Sequence, residues 1–160
     1  MVIVLMGVAG SGKTTIGRML SEAMGWKFYD ADDFHPRANV EKMRGGLPLD
    51  DDDRRPWLEA LRELIWGCLE RGESAVLACS ALRESYREYL LVDEEVKLVY
   101  LKGDFELIQK RLKGRRGHFM NPELLDSQFA TLEEPDEGLH VDVSSPPREV
   151  VKTIRSRFGI

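Results

Sequence analysis

Apolar residues fall into five short runs separated by stretches with helical spacing, an alternation that predicts repeated βα units and a parallel sheet covered on both faces. The runs lie at about 2–6, 27–30, 75–79, 97–101 and 139–143. Between the first two, residues 15–24 place Ile16, Met19, Leu20 and Ala23 on one helical face, and Gly25 is a stop signal. Residues 57–69 carry Trp57, Leu58, Leu61, Leu64, Ile65, Cys68 and Leu69 at the same spacing. That helix follows an acidic start at 50–53, and Pro56 is tolerable only in a first turn. Asp104 reads as the N-cap of a helix over 105–112, and a further helix is expected over 123–132.

Two stretches interrupt the alternation. Residues 31–55 form a polar insertion in which His35-Pro36, Gly45-Gly46 and Pro48 are breakers around a helical piece at 39–43. Between 114 and 122, Gly114, Gly117 and Pro122 bracket Arg115, Arg116, His118 and Phe119, a pattern that suits a hinged lid.

The turn after the first run carries the most informative chemistry. Gly7, Val8, Ala9, Gly10, Ser11, Gly12, Lys13 and Thr14 spell the full GxxxxGK[ST] phosphate-binding loop, with Thr15 opening the helix behind it. Backbone N–H groups and the helix N-terminus favour anionic oxygen there. Lys13 can reach the outer phosphates of a bound ATP, and the Thr14 hydroxyl can take one Mg²⁺ position.

Such a loop serves GTPases, motor ATPases and small-molecule kinases alike. The second run ends Tyr29-Asp30-Ala31-Asp32-Asp33, at the strand end that faces the same crevice as the loop. Asp30 and Asp32 are therefore candidates for the metal shell, and Asp30 for accepting the proton of an attacking hydroxyl. Asp33 is more simply a helix-capping or solvated acid. The third run ends Ala78-Cys79-Ser80, without the magnesium-binding Asp common in phosphate-loop proteins, and no NKxD-like guanine reader is present.

Composition narrows the classes. The chain has 160 residues and a formal net charge of −5, which argues against a general nucleic-acid binder. No segment is long and apolar enough to span a bilayer, and the start MVIVLM runs straight into the phosphate loop without a basic leader. A cytoplasmic single domain is expected, with no membrane partner; a homodimer is left open. Cys68 and Cys79 read as small core residues rather than a disulfide.

The segments 7–14, DADDFHP from Asp30 to Pro36, the run 39–43, Leu47-Pro48-Leu49, DDDRRPWL from Asp51 to Leu58, CSALRESYR from Cys79 to Arg87, Gly117-His118-Phe119 and Ser127-Gln128-Phe129 together resemble gluconokinases of the small phosphate-loop type. Arg83 stands where that family often has Lys, which retains charge but changes donor geometry. The resemblance implies ATP-dependent phosphorylation of D-gluconate on its 6-hydroxyl, on a fold similar to adenylate and shikimate kinases. It makes Asp30, His35, Arg54, Ser80, Arg83 and Arg87 the acceptor-binding candidates, with His118 from the lid and Gln128 from the returning helix. Arg111 and Arg115 are four apart on one helical face beside Arg116, so these arginines are candidates to reach ATP and its transferring phosphoryl group.

The expected architecture is a three-layer α/β domain with strand order 2-3-1-4-5. Two other readings remain at this point: a kinase for a different small hydroxy acid such as shikimate, and a nucleotide-dependent binding protein that no longer transfers phosphate.

Overall fold

No residue of β1 (Val2–Met6) is more than 1% exposed, because helices cover both faces of the sheet at whose centre it lies. The computed structural model describes residues 1–114 and 122–160. After β1 come α1 (Lys13–Met24), β2 (Lys27–Asp30), a 3₁₀ turn (Ala31–Phe34), α2 (Arg37–Arg44) and α3 (Asp51–Glu70). They are followed by β3 (Ala75–Ala78), α4 (Glu84–Leu90), β4 (Val96–Lys102), α5 (Phe105–Lys113), α6 (Pro122–Thr131), β5 (Leu139–Asp142) and α7 (Pro147–Phe158). The five strands are all parallel, in the order β2-β3-β1-β4-β5, as expected.

Strand periodicity divides the core into two layers. Val2, Val4 and Met6 pack with Trp57, Leu58, Leu61 and Ile65 of α3 and with Tyr86 and Leu90 of α4. Ile3 and Leu5 face the other way, onto Ile16 and Leu20 of α1, Ile108 of α5 and Val150, Val151 and Ile154 of α7. Cys68 and Cys79 are buried free thiols within the first layer. Among the described residues no helix is long and apolar enough to cross a membrane.

Three features depart from the sequence reading. α4 and α7 were not anticipated, although Val150, Val151, Ile154 and Phe158 of α7 do recur at helical spacing behind Pro146-Pro147. α3 begins at Asp51, well before its apolar stripe, because a capping box nucleates it. The Asp53 N–H donates to Asp50 Oδ1 at 2.8 Å, and the Asp50 N–H donates to Asp53 Oδ2 at 3.0 Å. Pro56 consequently sits inside the helix rather than in its first turn. The carbonyl it leaves without a helical donor belongs to Asp52, an exposed residue, so the missing bond falls where solvent can reach it.

Candidate active site

The phosphate loop joins β1 to α1 through backbone that only glycine tolerates. At Gly7, with φ 157°, a Cβ would lie 2.6 Å from Ser11 Oγ and 3.0 Å from the Leu101 carbonyl oxygen. Gly12, at φ 98°, turns the chain into α1, whose first turn carries no acidic side chain to compensate the helix dipole. Lys13 arches over the loop, donating to Gly7 O at 2.8 Å and Val8 O at 3.0 Å. Ser11 Oγ is buried with no hydrogen-bond partner among the described residues. Unaccepted donors, a half-buried lysine and an open helix N-terminus together suit a polyphosphate.

Parallel topology brings the ends of β2 and β3 alongside this loop: Asp30 is in register with Ala78, and Ser80 O accepts the Gly7 N–H at 3.3 Å. Asp30 Oδ1 accepts the Asp32 N–H at 3.0 Å, capping the 3₁₀ turn and holding two carboxylates together. Partial desolvation in the crevice, followed by repulsion from Asp30, raises the Asp32 carboxyl above its ordinary 3.8, while His35 and Lys13 pull it down. Those fields place Lys13, Asp30, Asp32 and His35 in one neighbourhood. Cys79 occupies the position after β3, and burial pushes its thiol up to about 12, so it is an inert neutral filler there.

The polar insertion builds the opposite wall. Trp57 Nε1–H donates to Ala31 O at 2.7 Å, and the His35 ring stacks on the indole at 4.4 Å between centroids and 12° between planes. Burial lowers the His35 pKa; Asp32 opposes that shift and Arg54 reinforces it. The Arg54 guanidinium lies 5.6 Å from the Tyr86 ring centroid and 3.9 Å from Asp51, whose carboxylate accepts the Tyr86 hydroxyl at 3.0 Å. Arg87 is 5% exposed and donates to Ala81 O at 2.8 Å, across a turn in which Ala81 takes the left-handed φ of 44°.

The remaining sequence candidates within the described residues are spread over α1, α4, α5 and α6. Arg111 on α5 donates to Val143 O, in the segment following β5. Gln128 on α6 is engaged with the phosphate loop, its Oε1 accepting the Ala9 N–H at 2.7 Å. Arg83 is exposed at the start of α4. Thr14 and Thr15 are exposed in the first turn of α1. Arg115, Arg116 and His118, with most of the lid stretch, lie outside the described residues. Asn39, Trp57 and Tyr86 were not singled out as site residues, yet they support it; the available signal was their place in the motifs at 39–43, 51–58 and 79–87 that carry the family resemblance.

Among the described residues no three His, Cys, Asp or Glu side chains form a metal-ligating group. The donor set is the Thr14 hydroxyl and the neighbouring carboxylates of Asp30 and Asp32. That fits Mg²⁺, which keeps several waters and takes substrate phosphate oxygens instead of a full protein cage.

A shikimate kinase family model matches residues 9–140. A probable gluconokinase of Rattus norvegicus is 44% identical, over 96% of this chain and 95% of that protein. The crystal structure of a sugar kinase from Janibacter sp. HTCC2649 superposes with a TM-score of 0.89 at 40% identity, over 99% of this chain and 94% of that one. A gluconokinase from Sinorhizobium meliloti 1021 gives 0.83 at 42% identity, over 94% and 86%. With a phosphate loop, paired acids and an arginine-bearing insertion on this sheet order, and with that identity over nearly its whole length, the chain belongs to the gluconokinase family of phosphate-loop kinases.

Proposed function

We propose that the protein transfers the γ-phosphoryl group of ATP to the 6-hydroxyl of D-gluconate, producing 6-phospho-D-gluconate and ADP. The observation that carries an acidic acceptor is Arg87. Its guanidinium is buried, and its one hydrogen bond among the described residues goes to the neutral carbonyl of Ala81. Buried charges are ordinarily paired, so this arrangement favours a ligand that brings an anion. A gluconate carboxylate supplies it, and a neutral polyol does not. Arg54, steadied by Tyr86 and Asp51, adds a second cation near His35.

The acceptor's 6-hydroxyl oxygen forms the new bond to phosphorus as the bridging oxygen leaves with ADP. Asp30 takes the hydroxyl proton, with Asp32 the second candidate. Lys13, extended from the loop carbonyls it holds here, neutralises charge on the transferring group. Thr14, Asp30 and Asp32 would hold Mg²⁺, which supplies further neutralisation of phosphate charge. Arg111 is the candidate to reach the nucleotide, and Arg115, Arg116 and His118, outside the described residues, are the candidates to act on the transferring group and exclude water.

ADP release measured with ATP and gluconate, shikimate or no acceptor tests this reading. Expected is turnover that requires gluconate, with 6-phospho-D-gluconate as product. ADP formation indifferent to gluconate overturns it, and turnover with shikimate instead transfers the assignment to that acid.

A further inference from the structure

Asn39 is a buried polar side chain, 3% exposed, on a helix whose other residues are exposed or half-buried. Its Nδ2 lies 2.8 Å from the Asp53 carbonyl oxygen. A carbonyl only accepts, which identifies that end of the amide as the NH₂ group. The same nitrogen lies 3.2 Å from His35 Nδ1. An amide NH₂ only donates, so Nδ1 must be the unprotonated nitrogen of the ring, and the single proton of the neutral imidazole sits on Nε2. An imidazolium would set N–H against N–H across that contact. The stack on Trp57, itself tied to Ala31 O, fixes the ring plane. Asp53 is held by its capping box with Asp50 and by Lys42 Nζ at 2.7 Å, so the reference carbonyl is itself anchored.

We propose that Asn39 is a positioning residue that locks His35 as the Nε2–H tautomer, making His35 an obligate hydrogen-bond donor to an oxygen of the acceptor and not a base. The part of this that concerns the acceptor rests on the function proposed above; the tautomer does not. His35 then reads a lone pair of a hydroxyl or carboxylate, which any polyhydroxy acid offers and an aliphatic acid of the same length offers only at its carboxylate. Asp32 and Arg54 are the charged side chains whose fields reach the ring, and neither occupies the Nδ1 contact that Asn39 makes.

The test is two-bond ¹⁵N–¹H correlation NMR of the whole protein with ¹⁵N-labelled histidine, the His35 signals being assigned by their loss in His35→Gln. The expected spectrum shows a protonated Nε2 and an unprotonated Nδ1. Asn39→Asp replaces the donor with an acceptor and should move the proton to Nδ1, with the gluconate KM raised about tenfold and the ATP KM unchanged. In the His35→Gln background, where the amide donor needs no tautomer control, Asn39→Asp should cost nothing further in gluconate KM. A protonated Nδ1 in the unaltered protein, or an unchanged tautomer in Asn39→Asp, overturns the proposal. Should Asn39→Asp fail to fold, the spectrum of the unaltered protein decides alone. Nε2 protonation in a protein that ignores gluconate upholds the tautomer lock and overturns the acceptor reading.

Discussion

Gln128 Oε1 accepts the Ala9 N–H at 2.7 Å, joining α6 to the phosphate loop across 119 residues of sequence. Any movement of α6 is therefore felt at the loop that holds the triphosphate. Removing the side chain in Gln128→Ala should raise the ATP KM about fivefold and lower stability by about 1 kcal/mol, the worth of one ordinary hydrogen bond. Initial-rate kinetics with each substrate varied in turn check this. A rise confined to the gluconate KM would instead assign Gln128 to the acceptor.

Lys13→Met and Asp30→Asn remove charge from the reacting groups without opening the core, since both residues lie at the crevice surface. Each should lower kcat by about 10²–10³-fold, with an unchanged circular dichroism spectrum. Turnover at the unaltered level in either variant removes that residue from the mechanism.

Arg87→Met replaces a buried charge with an apolar chain of similar length. Gluconate binding, followed by calorimetry, should weaken by at least about thirtyfold, because a carboxylate loses a desolvated partner worth about 2 kcal/mol or more. The same variant should lose about 1–2 kcal/mol of stability to urea at most, since the Ala81 carbonyl loses its donor while a buried charge without an ion-pair partner among the described residues is removed. Unweakened binding would remove Arg87 from the acceptor site.

Trp57 serves both the stack under His35 and the bond to Ala31 O. Trp57→Phe keeps a ring and forfeits the N–H, costing about 1–2 kcal/mol from the stranded carbonyl. Trp57→Ala should cost about 3–5 kcal/mol. Equilibrium urea unfolding distinguishes the two, and equal losses would deny the hydrogen bond a separate role.

Asp32 has a folded-state pKa raised above its ordinary 3.8 by desolvation and by Asp30. The folded protein therefore binds this proton more tightly than the unfolded chain. Its contribution to stability is fully present below 3.8 and is lost as pH rises through the raised folded value. Asp32→Asn should melt slightly higher than the unaltered protein at pH 7, and the gain should vanish at pH values below 3.8. The effect is small because the carboxylate is solvent-accessible. A variant that melts lower at pH 7 would contradict the sign.

The phosphate loop and the five strands were legible in the chain because each rests on local signals, apolar runs of strand length, a glycine pattern and helical stripes, whereas the order of the strands is set by pairing between distant segments and was expected from the family resemblance. α4 was not legible, since Glu84–Leu90 is too short to show a period of its own. The acidic start of α3 at 50–53 was legible, but the place of Pro56 inside the helix was not, because the capping box between Asp50 and Asp53 starts the helix ahead of its apolar stripe.

Sequence alone determined which chemistry the chain carries: Gly7 to Thr14 for phosphate, Asp30 and Asp32 at a strand end, and arginines enough for an acidic acceptor. Only tertiary structure decided which partner within the protein each of the polar side chains meets. Gln128 meets Ala9, Arg87 is buried against Ala81, and Asn39 sits between His35 and the Asp53 carbonyl. Residue type sets what a side chain can donate or accept. Which partner it meets depends on contacts between distant segments, and those are set when the helices close on the sheet and most buried polar atoms must find a counterpart.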